Sequence, residues 1–278
     1  MSWKLKEKAR ALLAQEQGTI VKPSGGKLSL ALVFPNYYHV GMANLGFQSV
    51  YRIINELTQT VCERAFLPER ADLLEFQRSA TPLFSLESQK PLQDFDLIAF
   101  SLSFENDYPN ILTILDLARI PLRALQRKEG YPMTFAGGIA TFLNPEPLAE
   151  FMDFFALGEA EELLPEILSL ILELKNKGVR RRDFLTHLTT VDGIYVPQFY
   201  SVTYQENGQI AGVLTRKGVP SIVKRRWVKN LDEYPTQSVI HAPGIEFGGM
   251  FLVEIGRGCS FGCRFCAAGW VYRPVRMR

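Results

Sequence analysis

No apolar run in this 278-residue sequence approaches the ~18 residues of a membrane span, because a charge or a proline interrupts every greasy stretch. The opening segment, MSWKLKEKARALLAQEQG, is charged throughout. Its longest apolar run, Ala11-Leu12-Leu13-Ala14, falls short of the roughly 7–15 residues a secretory signal needs. Cysteine is scarce at 4 and histidine at 3, which excludes a disulfide framework for a chain of this length. Three of those cysteines nevertheless lie within eight positions, a usage that points to the cytoplasm and to metal. No internal repeat or low-complexity tract is present. With 47% hydrophobic and 22% charged residues the composition excludes disorder and fibres, and the length suits one large or two ordinary domains.

The net charge of +2 hides an imbalance: from Arg216 onward eleven Lys/Arg face four Asp/Glu. A basic C-terminal third admits nucleic acid or an anionic cofactor as partner; the plainer alternative is a solvated linker whose acidic partners are missing. Lys224-Arg225-Arg226 and Lys229, with Trp227 interleaved, are the candidate nucleic-acid contacts.

Leu5, Ala9, Leu12 and Leu13 recur at helical spacing, and Lys22-Pro23-Ser24-Gly25-Gly26 breaks that helix. LSLALVF (28–34) is the continuous apolar run expected of a strand covered on both faces. A glycine-bearing loop follows, then Phe47, Val50, Tyr51, Ile54 and Leu57 on one helix face. Further strands are expected at 60–66, 96–101, 133–136 and 153–157. Helices are expected at 69–78, from Tyr108 to Ile120 with Asp107 as cap, in a short stretch after Pro121, and after Gly158-Glu159. Glu159, Glu161 and Glu162 read there as helix-dipole partners. The alternation predicts an α/β fold with a doubly wound, mostly parallel five-stranded sheet over 27–178, ligands sitting at the carboxyl ends of its strands. Asn207-Gly208 between β-rich runs predicts a hairpin, and residues 219–245, with three prolines, read as linker. FLVEI (251–255) reads as one more strand, delivering the chain into Gly256-Arg257-Gly258-Cys259. The expected divisions are therefore 1–26, 27–178, 179–245 and 246–278.

Cys259, Cys263 and Cys266 form CxxxCxxC on that loop. Three thiolates so close suit zinc or iron–sulfur; zinc wants a fourth ligand, and Cys62 and His241 are both remote in sequence. An iron–sulfur cube held by only three cysteines leaves one iron open. Cys62 reads as a small hydrophobe in a strand, and His187 and His241 have no partners at ligand spacing. Asn144-Pro145-Glu146-Pro147 reads as a structural turn or a crevice edge.

The CxxxCxxC with Phe265 before the third cysteine resembles the signature of radical S-adenosylmethionine (SAM) enzymes. LALVFPNYYHVGMANLGFQSVY, VCERAFLPE, PLFSLES, FAGG and NPEPLAEFMDFFALGEAEELLPEIL resemble the Rossmann-like, cobalamin-binding-type N-terminal domain of one radical SAM subgroup, as do NLDEYP and AGWVYRPVR around the cysteines. The resemblance implies a 4Fe-4S cluster on the three cysteines, SAM bound through its amino and carboxylate groups with Phe265 on the SAM side of the loop, and reductive cleavage to a 5′-deoxyadenosyl radical. It also implies an unknown substrate and an electron donor such as flavodoxin or ferredoxin. Cobalamin is a further implied cofactor. The subgroup's D-x-H-x-x-G is not matched, however, since Tyr37 and Met42 flank His39 where Asp and Gly belong. Gly137-Gly138 resembles the double glycine that admits the corrinoid's nucleotide tail, with a tight turn as the alternative. Only 12 residues follow Cys266, so the chain is expected to hold the first strand and cluster loop of a (β/α) barrel and an incomplete active site. The competing expectation is a non-catalytic module that binds a corrinoid or a partner, with its cysteines empty or on zinc.

Overall fold

In the computed structural model, which describes residues 2–278, the apolar run 28–34 lies at the middle of the molecule and every one of its residues is buried. The chain runs α1 (Trp3–Ala14), β1 (Leu28–Phe34), α2 (Tyr38–Met42), α3 (Leu45–Glu56), β2 (Thr60–Phe66), α4 (Arg70–Arg78) and β3 (Leu97–Ser101). It continues through α5 (Tyr108–Leu117), β4 (Met133–Gly137), α6 (Ile139–Leu143), β5 (Phe154–Ala156), α7 (Ala160–Asn176), α8 (Arg181–Leu188) and β6 (Ile194–Tyr195). The strand order is β2-β1-β3-β4-β5-β6, parallel except for β6, which runs antiparallel to β5.

Alternation along β1 divides the core in two. Leu30 and Leu32 face α3, α7 and α8, where Tyr51, Ile54, Ile167 and Leu188 close the layer. Ala31 and Val33 face α1, α4 and α5, where Leu5, Phe76, Ile111 and Ile114 do the same. Both faces are covered by helices, so the doubly wound α/β reading holds.

Several expectations change. The sheet has six strands rather than five, because the chain turns back after α8 and Ile194 and Tyr195 pair with Ala156 and Phe155. Packing consequently runs past Gly178: Leu185, Ile194, Phe199, Val219 and Ile240 all belong to the core layer of α3 and α7. The helix expected after Pro121 is only a three-residue turn at Ala124–Gln126, pinned by the Ala124 N–H donating to the Glu150 carbonyl. Asp107 stands at the N-cap of α5 as expected but makes no side-chain cap bond; its Oδ1 accepts from Asn36 Nδ2 at 2.8 Å.

The hairpin forms as expected from β7 (Tyr200–Tyr204) and β8 (Ile210–Thr215). The stretch 219–245 is more than a linker, since Val228, Leu231 and Ala242 are buried in it. Arg226 also extends the sheet edge by a parallel bridge to Gly158. FLVEI is not a continuous strand: Val253 makes a single bridge to Gln237, and pairing begins at β9 (Gly256–Arg257). A barrel strand needs parallel neighbours, whereas β9 has an antiparallel one, β10 (Arg276–Met277), which follows the short helix α9 (Ala268–Val271). No helix among the described residues is long and apolar enough to cross a membrane.

Candidate functional site

The strand order places β2 on one side of β1 and β3 on the other, so the chain leaves β1 and β3 in opposite directions and a crevice opens at their carboxyl ends. A cavity of about 580 Å³ occupies this end of the sheet. Its walls come from Ser101 and Ser103 at the end of β3, Gly137 and Gly138 at the end of β4, Glu159 after β5, and Asn44 at the start of α3. Arg257, Gly258 and Tyr272 complete the rim from the far end of the chain.

Local chemistry fixes each wall. Asn44 caps α3, its Oδ1 accepting the Phe47 N–H at 2.9 Å, and its Nδ2 donates to Ser103 Oγ at 3.0 Å. Gly138 has φ +111°, and a Cβ there would stand 2.4 Å from the Leu102 carbonyl oxygen, so backbone passes against backbone. The tight-turn reading of Gly137-Gly138 is thereby accounted for, and both residues also line the crevice. Gly258, at φ +104°, lies equally close to the Tyr272 carbonyl, which brings the two ends of the cysteine loop together.

Glu159 stands at the N-cap of α7 but makes no side-chain cap bond; its carboxylate instead accepts from the Val228 N–H at 2.8 Å and from Arg276 at 2.5 and 2.8 Å, with Arg257 at 3.0 Å. Glu161 accepts from Arg257 at 2.6 Å, while Glu162 and Glu166 take Arg226. Burial opposes the charge on Glu159, but Arg276, the Val228 N–H and Arg257 outweigh it and hold the carboxyl below its usual range. Burial likewise pushes the Tyr272 phenol up. These acids are the partners of the basic C-terminal third. Arg226 is committed to them, Arg225 donates to the Arg273 carbonyl, and Trp227 lies under Arg276 at 5.5 Å. Lys224 and Lys229 are left as the exposed cations of that stretch.

Cys259 and Cys266 are half-buried, Cys263 is exposed, and none is in a disulfide. Phe265 is 93% exposed. Among the described residues no three His, Cys, Asp or Glu side chains are gathered around one point, so the loop carries its thiols open rather than closed on a centre. As a donor set they fit an iron–sulfur cluster: three reachable thiols on one loop, tethered at the crevice rim. Cys62 is fully buried and enclosed by Asn55, whose side chain bonds both its N–H and its carbonyl, so it is a core residue.

Among the described residues no histidine lines the crevice. His39 is exposed, stacks on Tyr37 and stands 3.8 Å from Glu69. His187 bonds the Asp183 carbonyl within α8, and His241 stacks on Phe251. Glu146 of the Asn-Pro-Glu-Pro loop accepts from the Tyr195 hydroxyl at 2.5 Å and borders a separate cavity at the β6 edge. The Glu159–Arg257–Arg276 cluster was missed in the sequence. Its one trace was the acidic GEAEE run, opposite in sign to the basic tail.

Residues 46–197 match the family model for the N-terminal region of radical SAM proteins. The uncharacterized protein MJ0966 of Methanocaldococcus jannaschii is 26% identical over 250 residues, covering 90% of this chain and 43% of that protein. The radical SAM methyltransferase TsrM of Kitasatospora setae, solved with tryptophan substrate and a SAM analogue, aligns at 17% identity and a TM-score of 0.42 over 87% of this chain and 41% of that one. TsrM solved with cobalamin and a 4Fe-4S cluster aligns at 16% identity and a TM-score of 0.37, over 69% and 30%. The chain thus spans less than half the length of the relatives it matches.

Proposed function

The chain belongs to the family of radical SAM proteins through its N-terminal region, and from that premise we propose that it carries the cluster-binding loop and substrate-side crevice of a radical SAM enzyme. The observation that carries this reading is the attachment of the three-cysteine loop, through Arg257 and Gly258, to the rim of the switch-point crevice. Cys259, Cys263 and Cys266 would hold a 4Fe-4S cluster, leaving one iron for the amino and carboxylate groups of SAM. Bound there, such a cluster supplies the electron for reductive cleavage of SAM, drawn from a donor such as flavodoxin or ferredoxin. Phe265, free of packing, is available to lie along the adenosyl part of the cofactor. The crevice, walled by Ser101, Ser103 and Asn44, offers hydroxyl and amide groups to orient a substrate away from water.

A second reading, that the crevice holds a corrinoid, is favoured by Gly137 and Gly138 lining it. Such a ligand would be gripped by the crevice walls, without His39.

Anaerobic reconstitution with iron and sulfide tests the main reading. About four irons per chain and a brown chromophore are expected, lost in Cys263→Ala and retained in Cys62→Ala. Stoichiometric zinc with no iron uptake, or loss of iron in Cys62→Ala, would overturn it. Cobalamin retained by the chain on gel filtration would support the corrinoid reading, and free passage would end it.

A further inference from the structure

Arg257 lies two residues ahead of Cys259 and presents its guanidinium to three carboxylates: Glu159 at 3.0 Å, Glu161 at 2.6 Å and Glu254 at 2.8 Å. Arg276 is its cross-strand partner in the β9–β10 pair. Between them, residues 258–275 make up the whole cysteine loop. Two guanidinium groups at directly paired positions repel one another. Glu159 removes that repulsion, because its Oε2 is shared by Arg257 at 3.0 Å and Arg276 at 2.8 Å, while Oε1 takes Arg276 again at 2.5 Å. Its side chain is 3% exposed, so these bonds are made out of water, where either partner left alone is costly. Glu159 itself follows β5, so one carboxylate of the α/β sheet holds both ends of a loop that begins about a hundred residues later.

We propose that Glu159 is a positioning residue for the cysteine loop, acting through Arg257 and Arg276 to seat its two ends at the crevice rim. It touches no cysteine. The spectroscopic arm of the test rests on the reading of the cysteines as cluster ligands; the exchange arm does not.

Amide hydrogen exchange of the full apo chain is compared for wild type, Glu159→Gln, Arg276→Gln and the double variant. Exchange across 254–278 is expected to rise roughly tenfold or more in Glu159→Gln, with β1 and β3 unchanged as the internal control of folding. Arg276 lies outside the sheet domain, so Arg276→Gln opens the same segment even if Glu159→Gln were to unfold. The double variant should be no worse than the single ones, since all three break one device. In reconstituted protein the resonance of the dithionite-reduced cluster should change in line shape in Glu159→Gln at unchanged iron content. Unaltered exchange across 254–278, fully multiplicative effects in the double variant, or identical cluster spectra would each overturn the proposal. If the wild type takes up no iron while the exchange results hold, the cluster reading fails and the seating of the loop by Glu159 stands.

Discussion

Arg64 offers the sharpest test of what holds the sheet domain together. It sits on β2 at 0% exposure, and its guanidinium binds Glu16 through two hydrogen bonds of 2.6 and 2.9 Å and Glu87 through Nε at 2.6 Å. Its backbone N–H takes the other Glu87 oxygen at 2.7 Å, and its charge lies 4.9 Å from the Tyr51 ring centroid. Burial opposes this charge, but Glu87 and Glu16 outweigh it and keep Arg64 protonated well above the usual range. Replacing Arg64 with Met leaves two carboxylates buried, Glu16 at 0% and Glu87 at 2% side-chain exposure, without a counter-charge. Breaking a buried pair from one side costs about 3–5 kcal/mol, against roughly 0–1 for an exposed pair such as Arg52–Glu56. At about 2–4 °C per kcal/mol for a domain of this size, the melting temperature should fall by roughly 6–20 °C.

Burial already pushes the Glu87 carboxyl up beside Arg64. Arg64 is what pulls that carboxyl back down, so its removal raises the folded-state value further. The variant therefore gains more stability than the wild type as pH falls toward the unfolded value of 4.5, and the gap between them should narrow in acid. Urea unfolding followed by circular dichroism measures the loss. The triple variant Arg64→Met, Glu16→Gln, Glu87→Gln should recover most of it, because no charge is then stranded. A loss under about 1 kcal/mol in the single variant, or a triple variant no better than the single, would refute the argument.

Two further outcomes follow from the same geometry. Glu159, Glu254 and Asp96 are all held below the usual carboxylate range, since basic and N–H partners outweigh their burial. Their contribution is present above the unfolded value and lost as pH falls through the folded one, so the urea midpoint of the wild type should drop below pH 4.5; a midpoint unchanged into that range would contradict the ion-pair account. Limited proteolysis should cut first within 205–217, where a two-stranded ribbon ends in the exposed Arg216-Lys217 turn. First cleavage near Gly178 would mean that α8 and β6 are not part of the folded unit.

What the sequence disclosed was whatever depends on near neighbours. LSLALVF and TVCERAF became strands over the residues expected, even though the second carries Glu63 and Arg64 into the interior. Asn207-Gly208 made its hairpin because the turn closes locally, the Gly208 N–H donating to the Gln205 carbonyl and the Gln205 N–H to the Gln209 carbonyl. Whatever depends on distant partners was hidden. Arg64 finds Glu16 48 residues away, and Glu159 finds Arg276 117 residues away, separations at which no spacing rule operates. FLVEI had the composition of a strand, but its pairing is a single bridge of Val253 to Gln237, closed by backbone bonds at Leu252 and Glu254, rather than a ladder. The stretch after Pro121 had helical residues, yet Arg127 was drawn out of any helix by the Asp153 carboxylate and by the Pro121, Leu122 and Phe151 carbonyls.

The charge imbalance shows how a composition signal can have partners within the same chain. The excess of Lys and Arg after Arg216 invites an anionic partner from outside. Arg226, Arg257 and Arg276 meet Glu166, Glu161 and Glu159, which span the N-cap and the first two turns of one helix of the same chain. Anions at the N-cap and in the first turn of a helix are favoured by its dipole, which adds to the ion pairs of Glu159 and Glu161, and α7 presents its acids as a docking face. The consequence reaches the candidate site. Glu159 and Glu161 line the crevice, Arg257 lines it from the opposite chain segment, and Cys259 stands two residues beyond. A ligand entering the crevice therefore meets the same side chains that anchor the cysteine loop, and the wall it touches is the wall from which the thiols are hung.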